Sequence, residues 1–204
     1  MDINKALRAI KKAWRWVWHS DSFLSYVVSI LIIFLLVKYI VYPGIGLLLG
    51  TRMPIVAVMS NSMHHSQGFN EWWNNHSDWY EERGITLDEF KEYSLKNGFN
   101  KGDLIIIKGV NPEQLKRGDI IVYMAGTNYP IIHRIVAIHN TTTGLVFETK
   151  GDNNKAQIVN VMLNEQNISA DQIIGKAIAR IPLLGYPKVL LSEIFTTIRD
   201  VSTY

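Results

Sequence analysis

The chain has 204 residues, 48% of them hydrophobic, which is enough for one membrane segment and one medium-sized domain with its own core. It contains no cysteine, which excludes a thiol nucleophile, a disulfide framework and a cysteine-based metal site. Five of the 21 bases lie in residues 1–18 against one acid, leaving 16 bases and 17 acids elsewhere. Because the net charge of +3 belongs to this short segment, nucleic acid is not an expected partner.

Residues 1–22 form a basic amphipathic segment. Its apolar residues recur at helical spacing: Leu7, Ile10, Trp14, Val17 and Trp18. Basic helices with tryptophans favour the headgroup zone of an anionic membrane surface. The alternative is an ordinary solvated helix.

The next segment is apolar for the length of a bilayer core. Residues 24–42, LSYVVSILIIFLLVKYIVY, are interrupted only by Lys38 and two serines. About 19 residues at about 1.5 Å each cover about 30 Å, the thickness of a hydrocarbon core. We predict a retained transmembrane anchor at 23–43, because a signal-peptide core is shorter and no small-x-small site follows. The bases before it predict a single-pass protein of the cell membrane with a cytoplasmic N-terminus and an extracytoplasmic remainder.

Residues 44–185 carry the pattern of a β-domain after a glycine-rich connector, PGIGLLLG. Apolar runs separated by turn signals predict strands at 53–59, 103–109, 119–126, 130–140 and 144–152. Close spacing of the strands predicts a mainly β, mostly antiparallel domain with a small helical insertion, an α+β fold. Residues 186–204 predict a C-terminal amphipathic helix that packs on the domain or lies on the membrane, with an apolar face of Leu190, Leu191, Ile194, Phe195 and Ile198.

The insertion, residues 64–100, is polar and aromatic and lacks strand periodicity. It predicts two short helices, the second beginning after Thr86 as N-cap and ending at Gly98. Its tryptophans, Trp72, Trp73 and Trp79, form either a small satellite core or a membrane-interface belt or lid over a substrate groove.

Ser60 and Ser62 lie in SNSM, where the first apolar run of this domain ends. A serine nucleophile needs a base within hydrogen-bond reach. His133 lies inside the most apolar strand, where alternation places it on one face with Ile131, Ile135 and Ala137 and places Arg134 on the other with Ile132, Val136 and Ile138. Burial disfavours a charged imidazole, so His133 is a candidate base; a core histidine bonded to a carbonyl is the alternative.

Asp152, in TKGDNN, is either the acceptor of a local turn or a carboxylate that orients the histidine. The remaining candidate metal ligands fit no compact pattern: His64, His65, His76, Asp78 and His139. We therefore expect neither a metal nor a cofactor.

Four motifs in order behind the anchor resemble the conserved boxes of type I signal peptidases: SNSM (60–63), RGDIIVY (117–123), IIHRIV (131–136) and TKGDNN (149–154). Histidine before RIV, where bacterial enzymes carry lysine, makes the chain similar to the archaeal and endoplasmic-reticulum branch. DQIIGKA (171–177) also resembles that branch. The likeness covers most of residues 23–185.

The resemblance implies roles for individual residues. Ser62, directly before the methionine, matches the nucleophile and His133 matches the general base. Ser60 matches the residue whose hydroxyl assists the oxyanion hole, together with the backbone N–H of Ser62. Asp152 matches the aspartate of the last box.

One position departs from the family pattern. Relatives commonly carry an essential aspartate six residues after the first one, and this chain has Ile158 there. Either Asp152 orients the histidine, or Glu165 or Asp171 reaches in, or the chain is impaired.

The resemblance therefore implies a membrane-bound serine endopeptidase that cleaves signal peptides from exported preproteins after small residues at −1 and −3. The implied partners are preprotein signal peptides, the lipid bilayer and the protein-export machinery. The alternative is a catalytically impaired homologue that binds preproteins or translocation partners.

Overall fold

The computed structural model describes residues 3–127, 129–142 and 144–201, and only the backbone of residues 195–201. It divides into two compact units, Met1–Leu48 and Leu49–Tyr204. The first unit is helical, and all the described strands belong to the second.

The first unit contains the predicted amphipathic helix and the predicted anchor. Helix α1 is Ile3–His19 and has no buried residue. Helix α2, Phe23–Leu36, continues through a π-helical turn, Val37–Val41, into α3, Tyr42–Leu49. In the part of the chain that the structure describes, Phe23–Leu49 is the one helix long and apolar enough to cross a membrane, with a mean hydropathy of 2.5.

The predicted glycine-rich connector after Pro43 is wrong, because these residues are helical. Proline lacks an N–H to donate, and in a regular helix its ring clashes with the carbonyl of the residue four positions earlier. The π-helical turn before Pro43 widens the hydrogen-bond ladder at this point, so the helix passes the proline without ending.

The second unit is built on one antiparallel sheet, which confirms the predicted mainly β class with a helical insertion. The strand order is β1-β2-β7-β3-β4-β5-β6, and each pairing among the described residues is antiparallel. The strands are β1 Ile55–Ala57, β2 Leu104–Lys108, β3 Ile120–Tyr123, β4 Ile131–Thr141, β5 Gly144–Lys150, β6 Ile168–Ser169 and β7 Ile173–Ile181. β7 was not predicted, although it lies between β2 and β3. Its Gly175 permits a close approach to β2, since a Cβ there would lie 2.4 Å from the Lys108 carbonyl oxygen.

β4 shows the predicted alternation up to a β-bulge. Ile131 and Ile135 pack in the same cluster as Tyr123 and Phe147, on the face that carries His133. The register between β4 and β5 shifts between Ile135 and Ala137. Ile138 therefore packs with the His133 face, and the predicted assignment of Ile138 to the opposite face is wrong.

The insertion forms the two predicted helices, α4 Phe69–Glu81 and α5 Leu87–Lys91. Thr86 caps α5 as predicted by accepting a hydrogen bond from the Glu89 N–H, but the helix ends at Lys91 and not at Gly98. The helices enclose a separate aromatic cluster of Trp72, Trp73, Tyr80, Ile85, Phe90 and Val136. Two of the three tryptophans thus belong to a satellite core, while Trp79 is half-buried beside it.

Helix α6, Tyr186–Val201, is the predicted C-terminal helix. The Tyr186 ring covers Gly102, where a Cβ would lie 2.4 Å from it, and Val189 is buried. Leu190, Leu191 and Ile194 are exposed. The side chains of Phe195 and Ile198, and residues 202–204, lie outside the described residues.

A substitution of Phe90 tests whether the insertion has a tightly packed core. Its ring is fully buried, with centroids 5.1 Å from Trp72 and 5.2 Å from Tyr80. We expect Phe90→Ala to lower the free energy of unfolding by about 3–5 kcal/mol, because it leaves a cavity. Denaturant titration of the full chain in detergent measures this. Exposed Tyr129→Ala is the control and should change it by less than about 0.5 kcal/mol; equal effects would contradict a packed cluster.

Candidate active site

The loop after β1 presents the two predicted serines next to each other. The Ser60 and Ser62 hydroxyl oxygens are 3.1 Å apart, with Ser60 exposed and Ser62 half-buried. The next residue, Met63, is fully buried in the sheet core, and its carbonyl accepts a hydrogen bond from the Phe99 N–H at 3.0 Å. The apolar methionine therefore fixes the loop while the serines stay at the surface.

His133 pairs with Glu165 on its own face of β4. Its Nδ1 lies 2.5 Å from Glu165 Oε1, and both side chains are buried. The carboxylate also accepts hydrogen bonds from the Ile158 N–H at 2.6 Å and from the Thr149 hydroxyl at 3.3 Å. Since a carboxylate oxygen of Glu165 accepts the hydrogen bond from the ring, the ring proton is assigned to His133 Nδ1. His133 Nε2 is then the hydrogen-bond acceptor of the ring.

The Ser62 backbone and the His133 ring both approach Gly151, while the Ser62 hydroxyl is hydrogen-bonded to Ser60. A Cβ built on Gly151 would lie 2.8 Å from His133 Nε2 and 2.9 Å from the Ser62 carbonyl oxygen. The Ser62 carbonyl also accepts a hydrogen bond from the Asn153 N–H at 2.7 Å. The turn after β5 thus joins the serine loop to the accepting nitrogen of the histidine, and it has no room for a side chain at residue 151.

Asp152 belongs to a different network on the opposite face. Arg134 donates to both of its carboxylate oxygens, at 2.9 and 2.7 Å, and His65 Nε2 lies 3.0 Å from one of them. Burial by itself would raise the pKa of Asp152, but Arg134 and the His65 hydrogen bond outweigh it and hold the pKa well below its usual range. The structure therefore does not bring Asp152 to His133, and it corrects both the orienting role and the local-turn role predicted for this carboxylate.

Of the two alternative acids, only Glu165 reaches the histidine. Asp171 lies exposed in the short 3₁₀ turn Ala170–Gln172 before β7. Glu165 follows a narrow turn in which the Ile158 carbonyl accepts from the Glu165 N–H at 2.9 Å. Its carboxylate thus lies beside the position at which the family pattern has an aspartate, although it comes from a different residue.

Lys150 is a buried cation that sequence reasoning missed. Its ammonium group donates to the Gly151 and Asp152 carbonyls at 3.1 and 3.3 Å and lies 4.7 Å from the Tyr80 ring centroid. Burial lowers the pKa of Lys150 to about 8. Lys150 is the last residue of β5, and the alternation of side chains along this strand places it on the face that the insertion covers. This alternation is the sequence signal from which its burial could have been predicted.

Comparison with known proteins finds similarity to signal peptidase catalytic subunits. No protein-family model matches the chain. The signal peptidase complex catalytic subunit sec11 of Sclerotinia sclerotiorum is 37% identical over 103 residues, which are 49% of this chain and 60% of that protein. The subunit SEC11 of Scheffersomyces stipitis is 25% identical over 158 residues, 76% of this chain and 75% of that protein. The subunit SEC11C of Homo sapiens is 24% identical over 156 residues, 75% of this chain and 65% of that protein.

These findings confirm the resemblance predicted from the sequence: the chain is similar to proteins named as signal peptidase catalytic subunits. More particularly, the proteins it resembles are catalytic subunits of signal peptidase complexes. The chain spans about 60% of the length of the first of these relatives.

Lys150 makes a pH-dependent contribution to stability. The folded chain releases this proton at about pH 8 and the unfolded chain at 10.5, so between these values the unfolded state binds more protons and folding becomes more favourable as pH rises. We expect the free energy of unfolding, relative to Lys150→Met, to rise by about 3 kcal/mol across that interval. Unfolding titrations at several pH values measure the difference. Exposed Lys155→Met is the control; a flat difference for Lys150→Met would contradict the account.

Proposed function

We propose that the chain is a membrane-anchored serine endopeptidase that removes signal peptides from exported preproteins, cutting after small residues at −1 and −3. The observation that carries the proposal is the position of His133, with Nδ1 on a buried carboxylate and Nε2 beside Gly151, which the Ser62 backbone carbonyl also approaches. The names of the relatives, which are signal peptidase catalytic subunits, support the same substrate class.

The first step is acylation of Ser62. His133 Nε2 takes the hydroxyl proton as the serine oxygen attacks the scissile carbonyl carbon, and the carbonyl π electrons move onto oxygen. Glu165 faces the Nδ1–H and stabilises the imidazolium that forms. When the C–N bond breaks, the imidazolium returns its proton to the departing amine. A water molecule, deprotonated by the same nitrogen, then hydrolyses the acyl-serine.

Ser60 fits the role of an oxyanion donor. Its hydroxyl is 3.1 Å from the Ser62 hydroxyl, so a carbonyl under attack by Ser62 comes within its reach. The Ser62 N–H supplies the second donor. Preorganised donors of this kind stabilise the charge that develops on the substrate oxygen in the transition state.

We assign the orienting role to Glu165, which replaces the aspartate missing at Ile158. Three donors from three segments hold the carboxylate: His133, the Ile158 N–H and the Thr149 hydroxyl. Such a carboxylate keeps the imidazole in one orientation and one tautomer. The departure at residue 158 was the only support for a catalytically impaired homologue, and this contact weakens that alternative.

The membrane anchor in this proposal is Phe23–Leu49, with the N-terminus cytoplasmic and the second unit on the far side. The apolar core of a signal peptide is itself embedded in the bilayer, so an anchored protease meets its cleavage site at the membrane surface. Preproteins and the export machinery are the partners that this location implies.

Loss of either the nucleophile or the base should abolish processing. We expect Ser62→Ala and His133→Ala each to lower kcat by about 10⁴-fold or more, with similar residual rates, because the two residues act as one unit. The assay uses the full chain in detergent and a preprotein, with the cut located by mass spectrometry. Ser66→Ala, in the exposed part of the same loop, is the matched control. Substantial cleavage by Ser62→Ala would remove this residue as the nucleophile.

The assignment of the acid is tested by charge-neutral substitutions. Glu165→Gln should lower kcat by about 10²- to 10⁴-fold, because an amide no longer stabilises the imidazolium or selects its tautomer. Asp171→Asn, exposed before β7, should stay within about twofold, as expected of a surface substitution away from the site. The same cleavage assay measures both. Equal activities would show that His133 works without Glu165.

A further inference from the structure

His65 is a buried histidine three residues after Ser62 that has no role in the proposed chemistry. Its side chain is 1% exposed and stacks on Trp72 with ring centroids 3.7 Å apart and an interplanar angle of 2°. Its Nε2 lies 3.0 Å from Asp152 Oδ2. The histidine therefore connects the serine loop to the carboxylate that binds Arg134.

Asp152 in turn contacts the elements that carry both halves of the site. Its carboxylate binds Arg134, the neighbour of His133 in β4. Its own N–H lies 3.3 Å from the Met63 sulfur, in the loop that holds Ser62. One carboxylate thus contacts both the base strand, through Arg134, and the serine loop, through His65.

The insertion supports this link from the other side. The Trp72 indole N–H donates to the Asp152 carbonyl at 3.2 Å while the same ring stacks on His65. Trp72 is itself fully buried in the aromatic cluster with Phe90 and Tyr80. One buried side chain of the insertion thereby contacts both partners of the His65–Asp152 hydrogen bond.

Packing alone does not account for an imidazole at this place. His65 Nδ1 is buried without a hydrogen-bond partner among the described residues, which costs stability that an apolar ring would not cost. Burial lowers the pKa of His65, so the ring is neutral at pH 7 and carries one proton, on the nitrogen that faces Asp152. The hydrogen bond from Nε2 is what a phenyl ring could not supply.

We propose that His65 is a positioning residue: its Nε2–H···Asp152 bond, held by Trp72 of the insertion, sets the distance between the Ser62 loop and His133. This inference rests on the proposed function and names a determinant of its catalytic geometry. The aromatic insertion would then have a function as well, because its Trp72 holds the His65 side chain that positions the serine loop.

Two amide substitutions of different length separate the hydrogen bond from the packing. The side-chain amide of His65→Gln reaches the place of Nε2 and keeps a donor to Asp152, whereas His65→Asn ends at the place of Nδ1 and is too short. We expect His65→Asn to lower kcat by about 10- to 100-fold with KM within about threefold, because a small displacement of the nucleophile is costly. His65→Gln should recover kcat to within about threefold of the unmodified chain. The pH profile of kcat/KM should keep its shape in both, because His133 and Glu165 lie on the other face of β4.

His76→Asn is the matched control. His76 also stacks on Trp72, at 5.3 Å, and its Nδ1 lies 2.8 Å from the Trp72 carbonyl, away from Asp152. We expect unchanged kcat. A loss as large as that of His65→Asn would show that any disturbance of Trp72 suffices, and it would overturn the specific role of His65.

A second readout does not depend on catalysis. Amide hydrogen exchange of residues 58–66, measured by mass spectrometry on the full chain, should be faster in His65→Asn than in His65→Gln. If the unmodified chain cleaves no preprotein, the proposed function fails while this comparison still tests the link. Equal exchange in the two variants, or equal kcat in an active enzyme, would overturn the positioning role.

Discussion

The site depends on the alternation of side chains along one strand. His133 and Arg134 are neighbours in β4, so the pleat directs them to opposite faces of the sheet. On one face His133 meets Glu165, and on the other Arg134 meets Asp152. Two buried carboxylates therefore bind two neighbouring residues of one strand: Glu165 contacts the proposed base, and Asp152 binds an arginine that is always charged.

The turn after β5 joins the two networks. Gly151 lies between His133 Nε2 and the Ser62 backbone. The next residue, Asp152, has its carboxylate on the opposite face of the sheet, where it binds Arg134 and His65. The turn that approaches the proposed nucleophile and base thus also carries a buried ion pair that has no chemical step of its own. Breaking a buried pair of this kind leaves an uncompensated charge, so removing either partner is strongly destabilising.

The sequence predicted the parts of this arrangement that depend on local pattern. Short apolar runs separated by turn residues located β1 to β5, and one long apolar run located the long helix. The parts set by tertiary contacts were not predictable in the same way. The bulge that moves Ile138 to the His133 face, and the pairing of β7 between β2 and β3, leave no local mark. Glu165 could be named only as one of several acids, because its contact with His133 joins residues 32 apart in the chain through the turn at Ile158.

The most direct measurement of the central claim is the protonation of the two ring nitrogens of His133, read from ¹⁵N chemical shifts of histidine-labelled protein in detergent near pH 7. A base oriented by Glu165 carries its proton on Nδ1, leaves Nε2 unprotonated, and loses this preference in Glu165→Gln. A neutral ring with its proton on Nε2, or shifts that Glu165→Gln leaves unchanged, would contradict the account, since that nitrogen could then not accept the proton of Ser62.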